Sequence, residues 1–203
     1  MKHYSTLASL FSYPDNELAN NVAEVREIVS KHYPENLENI DVFFSFVKET
    51  PVEKQTEYYI KTFDVQALCY LDIGYILFGE DYKRGEFLVN LRKEHREANN
   101  DCGSELADHL PNMLRLLPKI AERDFAEELG YSIMIPALKE MLKSFKEENN
   151  VYRNNLVTLL NIMETDFNGL DYQQFIINNK DKTDFLKNIN CNPKACRSGM
   201  VQK

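Results

Sequence analysis

The chain has 203 residues, 43% hydrophobic and 28% charged, a balance that suits a soluble globular protein with a real core. Seven glycines and seven prolines leave little turn-forming material for a many-stranded sandwich or barrel. A formal net charge of −8 argues against nucleic-acid and anionic-membrane binding, which need clustered basic surface.

Period 3.6 governs the chain from the start. Tyr4, Leu7 and Phe11 form one face of a first helix, stopped by Pro14. Leu18, Val22, Val25 and Val29 mark a second, which ends before Pro34, and Leu37, Ile40, Phe44 and Val47 a third. Thr50-Pro51 closes that one and opens the next, which carries Tyr59 and Phe63 one turn apart. The block Ala67 to Phe78 is apolar nearly all round and predicts a central buried helix ended by Gly79. It is interrupted by Asp72 and is shorter than the roughly 18–20 residues of a membrane span.

A long charged helix follows, with Phe87, Leu88 and Leu91 inward. Asn99 to Gly103 reads as a loop, and Ser104 as the N-cap of a helix with Leu106, Leu110, Met113, Leu114 and Leu117 on one stripe. Pro111 would kink that helix near Ala107. Gly130 separates a short acidic helix from one carrying Met134, Leu138, Met141 and Phe145, with Pro136 in or near its first turn. Tyr152, Leu156, Leu159 and Met163 mark another helix; a weak one near Tyr172 to Ile177 precedes a loose tail. The pattern predicts a single all-α bundle of about 8–10 helices, divided into a helical domain, 1–168, and a partly flexible tail, 169–203. No secretion signal is read at the N-terminus, so a cytoplasmic protein is expected.

Catalytic templates are absent: no phosphate loop, dinucleotide fingerprint, H-E-x-x-H or G-x-S-x-G. No enzyme, cofactor or metal site is expected. Cys191 and Cys196 are a suggestive pair, but zinc needs two further ligands, and reduced thiols in a tail explain them as well. Asp108-His109 invites an acid–base reading, yet neighbours on a helix point about 100° apart. A solvated Asp108 beside a rim His109 is the simpler account. Asp72 is either on its helix's one wet face or a paired buried acid; the lack of a partner within sequence reach favours the wet face. Asp64 reads as a helix-end residue.

Together these residues resemble a specific family. Tyr59-Ile60-Lys61-Thr62-Phe63-Asp64, then Leu71, Gly79, Arg84-Gly85, Leu88 and Leu91, then Glu105-Leu106-Ala107-Asp108-His109-Leu110-Pro111, are similar to the nitrate reductase assembly chaperones. These are the NarJ-like delta subunits, relatives of the TorD/DmsD redox-enzyme maturation chaperones. Leu10-Phe11-Ser12-Tyr13-Pro14-Asp15 resembles the family's opening. The family commonly has Pro at Ala107 and Tyr at His95, and the Cys-containing tail departs from its pattern.

The resemblance implies a TorD-like helical chaperone without turnover, whose partner is the N-terminal segment of a molybdoenzyme catalytic subunit, the nitrate reductase alpha subunit first. Molybdenum-cofactor biosynthesis proteins are further expected partners. Tyr59, Phe63, Tyr70 and Pro111 would contribute to the peptide site, with Asp64 and Asp108 as rim acids for Arg or Lys of the client. His109 would make release pH-sensitive. The alternatives are a chaperone of another molybdoenzyme (sulfoxide, N-oxide or selenate reductase), a GTP-binding helper, or a thiol or metal carrier.

Overall fold

The computed structural model describes residues 1–146 and 149–177. Among these the protein is all-helical, with no strand. Helix α1, Tyr4–Leu7, tightens into a 3-10 turn, Ala8–Phe11. Then come α2 (Leu18–His32), α3 (Leu37–Glu49) and α4 (Val52–Phe63). After them follow α5 (Ile73–Phe78), α6 (Tyr82–Glu97) and α7 (Leu110–Leu116). A short α8 (Arg123–Glu128) runs without a break through a π-helical turn, Leu129–Met134, into α9 (Ile135–Leu142). Helix α10, Val151–Asp166, completes the set.

The apolar stripes named above explain the packing. Helices α2, α3, α10 and α9 lie against one another in succession, and α7 packs on α1. Tyr4, Leu7, Leu10 and Phe11 meet Leu110, Leu114, Tyr152, Leu156 and Leu159 in one core, all fully buried. Polar side chains satisfy the helix ends inside this core, where an unpaired carbonyl would be costly. Gln55 Nε2 donates to Val47 O at 2.8 Å and Thr50 O at 2.7 Å, closing α3, and Asn155 Nδ2 donates to Leu10 O at 3.2 Å. Asp166, at the end of α10, accepts from Tyr4 (2.9 Å) and Tyr33 (2.6 Å) and pairs with His3 (2.8 Å). That cluster ties the first residues of the chain to the end of α10.

Four expected elements differ. Ala67 to Phe78 is not one helix: only α5 is helical, and 64–72 is an irregular segment with Gln66 at φ 51°. Leu68 and Tyr70 face outward while Cys69 and Leu71 face inward, an alternation that a helix cannot make. The segment 99–109 has no helix starting at Ser104, and Pro111 sits in the first turn of α7. There its missing N–H costs no intrahelical bond, so no kink arises. Gly130 does not separate two helices but lies within the π-helical turn.

That turn has a local cause. Pro136 has no N–H for the carbonyl of Ser132 one turn back, and Ser132 O instead accepts from Phe175 N at 2.9 Å. Residues 171–177 are accordingly not helical, contrary to the helix expected near Tyr172 to Ile177. Phe175 is buried, edge-on to Phe78 at 5.3 Å. Cys191 and Cys196 lie outside the described residues.

Candidate functional site

The site is built where two irregular segments, 64–72 and 99–109, are joined. An antiparallel bridge pairs Asp72 with His109: Ile73 N donates to Asp108 O and Leu110 N to Leu71 O, both at 2.9 Å. Asp72 thereby becomes the residue preceding α5 and His109 the one preceding α7. Asp108 and His109 both precede α7, so the helical spacing assumed for that pair does not apply.

Asp108 is not a solvated or rim acid. It is 0% exposed, and its Oδ2 accepts from Gly74 N and from Arg84 Nε, each at 3.1 Å. Gly74 is required for this approach, since a Cβ there would lie 2.7 Å from Asp108 Oδ2. Arg84 reaches from α6 and also pairs with Asp72, its Nη2 3.2 Å from Oδ2. Asp72 is therefore the paired acid, and its partner lies twelve positions on. His109 Nδ1 stands 3.4 Å from Asp72 Oδ1 on the other side.

The two carboxylates titrate in opposite directions. Burial drives the Asp108 carboxyl above its usual range despite Arg84, and its Oδ1 has no hydrogen-bond partner. Burial would raise Asp72 too, but the hydrogen bond from His109 and the charge of Arg84 outweigh it, so Asp72 is held low. One guanidinium serving two acids is stable only because the second acid keeps some water and a histidine.

The supporting structure is polar and specific. Asn112 Nδ2 donates to Cys102 O (3.1 Å) and Leu106 O (3.0 Å), folding 99–109 back on α7. His95 is buried, 2.9 Å from Ala107 O through Nε2 and 2.9 Å from Asn100 Nδ2 through Nδ1. This pattern fixes a neutral ring with Nε2–H donating and Nδ1 accepting. Burial lowers the His95 pKa, in keeping with that state.

Of the expected peptide-site residues, Asp108 and His109 come together with Asp72 and Arg84, while Pro111 is buried in the first turn of α7. Tyr59 and Phe63 belong to the core, edge-on to Tyr152 at 5.8 and 4.8 Å. Tyr59 donates to Phe11 O at 3.2 Å. Burial, then the charges of Glu105, Asp64 and Asp72, push the Tyr59 hydroxyl pKa up. Asp64 is exposed at the end of α4. Tyr70 is 40% exposed, edge-on to Tyr75 at 4.9 Å, whose ring in turn carries the Arg84 guanidinium at 5.4 Å.

Exposed apolar side chains gather on the same two segments: Val65, Leu68 and Tyr70 on one, Leu106 on the other. Tyr13, also exposed, lies edge-on to Tyr59 at 5.4 Å. Tyr70 was expected here from the sequence; Val65, Leu68, Leu106 and Tyr13, with Arg84, Gly74 and His95, were not singled out as site residues. The one available signal was Asp72 inside an apolar block, since a buried carboxylate calls for a cation.

No cluster of metal-ligating side chains occurs among the described residues. Burial pushes the Cys69 thiol up to about 12, which makes it unreactive. Among the described residues no helix is long and apolar enough to cross a membrane.

No protein-family model matches the sequence, and no curated protein matches it. Among solved structures, the fold is similar to that of a candidate redox enzyme maturation protein from Archaeoglobus fulgidus. The TM-score is 0.54 at 17% identity, over 80% of this chain and 93% of that one. The two chains share a helical fold.

Proposed function

We propose that the protein is a dedicated chaperone that binds the N-terminal segment of a molybdoenzyme catalytic subunit and holds the apo-enzyme for molybdenum cofactor insertion. Nitrate reductase is the first client to test. The observation that carries this reading is the exposed apolar surface of 64–70 and Leu106, set beside Asp64, Asp72 and Glu105 over a buried ion network. Such a surface suits an extended or amphipathic peptide bearing apolar and basic residues. The described fold similarity supports the maturation role, and the Tyr59–Asp64 and Glu105–Pro111 motifs support the nitrate reductase assignment.

In this reading Tyr70, Asp64 and His109 contact the client, joined by Tyr13, Leu68 and Leu106. Tyr59, Phe63, Asp108 and Pro111 act from beneath by fixing the two segments. The protein has no turnover, and its work is done in the cytoplasm before the client is docked or exported. Molybdenum-cofactor biosynthesis proteins are the partners to which the held apo-enzyme is presented.

The test is calorimetric titration with a peptide copying the N-terminus of the nitrate reductase alpha subunit. Saturable binding that weakens as salt rises from low to physiological strength supports the reading. Absence of binding to the folded protein removes nitrate reductase. A pull-down with the sulfoxide, N-oxide and selenate reductase segments then decides among the other clients.

A further inference from the structure

Away from the two joined segments, an open groove of about 490 Å³ lies between α1, the start of α2 and α7. That volume is within the range of small-ligand sites, about 300–1,000 Å³. Ser5, Thr6, Ser9 and Ser12 line it with hydroxyls, and Arg115 of α7 faces it.

Arg115 is the unusual member. It is half-buried, and among the described residues its one side-chain hydrogen bond runs from Nη2 to Ser12 Oγ at 3.0 Å. Ser12 in turn donates to Ala8 O at 3.3 Å, so its hydroxyl is oriented to accept from the guanidinium. No carboxylate among the described residues pairs with Arg115, and burial alone accounts for its lowered pKa. A guanidinium has five N–H donors in a planar fork. Among the described residues only one of them meets a protein acceptor, and the guanidinium borders the open groove, where its remaining donors can meet a ligand.

The rest of the lining narrows the anion. Asp15 and Glu24 share the groove with Arg115. Their charge opposes a phosphate dianion more strongly than a singly charged carboxylate. A carboxylate also matches the guanidinium fork through two parallel hydrogen bonds, and Asp15 and Glu24 remain free to receive a cationic group on the same ligand. We infer that the groove is a carboxylate-binding site for a peptide, with Arg115 and Ser12 holding the carboxylate and Asp15 or Glu24 meeting a neighbouring basic residue. This site is independent of the chaperone reading, although Tyr13, which also lines the groove, sits at its edge toward Tyr59.

The experiment is NMR titration of the full chain with four probes at millimolar concentration. Two carry a carboxylate: a capped Lys-Glu peptide amide for the side chain, and acetyl-Lys-Ala with a free C-terminus for the chain end. A capped Lys-Gln amide and inorganic phosphate are the comparisons. The expected result is saturable shifts at Ser9, Ser12 and Arg115 Nε with one or both carboxylate peptides, at least tenfold weaker with Lys-Gln and with phosphate. Arg115→Gln should weaken carboxylate binding at least tenfold, and Arg115→Lys should only partly restore it. Should Arg115→Gln fail to fold, Ser12→Ala is the second variant, with a several-fold loss expected. Equal shifts with Lys-Gln, a preference for phosphate, or binding untouched by both variants overturns the assignment. Comparing the two carboxylate peptides tells which kind of carboxylate the site takes.

Discussion

Arg84 Nε and Asp108 Oδ2 are 3.1 Å apart, with the carboxylate wholly buried and the guanidinium only 18% exposed. Every other feature of the candidate site hangs on this pair, because it anchors 99–109 to α6 and, through Gly74 N, to α5.

Removing the cation should therefore unfold more than a surface contact. Arg84→Gln leaves Asp108 buried beside a neutral amide and Asp72 with only His109, and a broken buried pair costs about 3–5 kcal/mol. Asp108→Asn in the same background should recover much of that loss, since it removes the stranded charge. Urea denaturation of both single variants and the double variant measures the coupling. Additive losses would show that the pair is not coupled. By the same reasoning Asp108→Ala should lower stability, so a loss of client binding in that variant alone does not place Asp108 at the peptide.

The helical bundle was legible in the sequence because α2, α3, α6 and α10 each bury one stripe at helical spacing. The candidate site was legible only in part. Asp108, His109 and Asp64 stand out as acids and a histidine against an apolar background. Their arrangement depends on a bridge between segments nearly forty residues apart, Asp72 to His109, and on Arg84, and local periodicity carries no trace of such a pairing. The stripe through Leu106 misled because Leu106 points outward, so the helix starts later, at Leu110. In Cys69 to Leu71, likewise, apolar composition alone could not distinguish a buried helix from a segment that alternates in and out.

His95 gives stability a pH dependence with a definite sign. Its folded-state pKa is lowered by burial, so between that value and the unfolded one, about 6.5, the unfolded chain binds a proton that the folded ring does not. Stability is full above about pH 6.5 and falls as the pH drops through that window. Each proton contributes a slope of at most about 1.4 kcal/mol per pH unit. His95→Gln keeps a donor for Ala107 O without titrating and should flatten the curve between pH 7 and 5. Denaturant midpoints collected across that range make the comparison; parallel curves would rule His95 out as the source.

Phe175 tests the docking of the segment beyond α10. Its ring fills a buried place against Phe78 while its N–H occupies the carbonyl that Pro136 leaves free. Phe175→Ala removes the ring but keeps the N–H, so the expected cost is that of a buried aromatic, about 3 kcal/mol. Thermal melts should show it as a clear drop in Tm. A change within error would mean that the segment contributes no stability in solution.

The outward face of the site is separable from its foundation, and this decides the proposed function most directly. Leu68 and Tyr70 are exposed, and Tyr70 is linked to Arg84 through the Tyr75 ring. Leu68→Ser with Tyr70→Ser should leave the melting curve nearly unchanged, since exposed substitutions usually fall within about 0.5 kcal/mol. If these residues form the apolar wall of the peptide site, affinity for the client segment should drop at least tenfold, read by the same calorimetric titration. Charge reversal at Asp64, Asp64→Lys, should weaken binding of a basic client segment further at low salt than at high salt, because an exposed charge acts over a screened distance of about 10 Å. Undiminished affinity in the folded double variant would move the peptide off 64–70 and leave this surface without a role in client recognition.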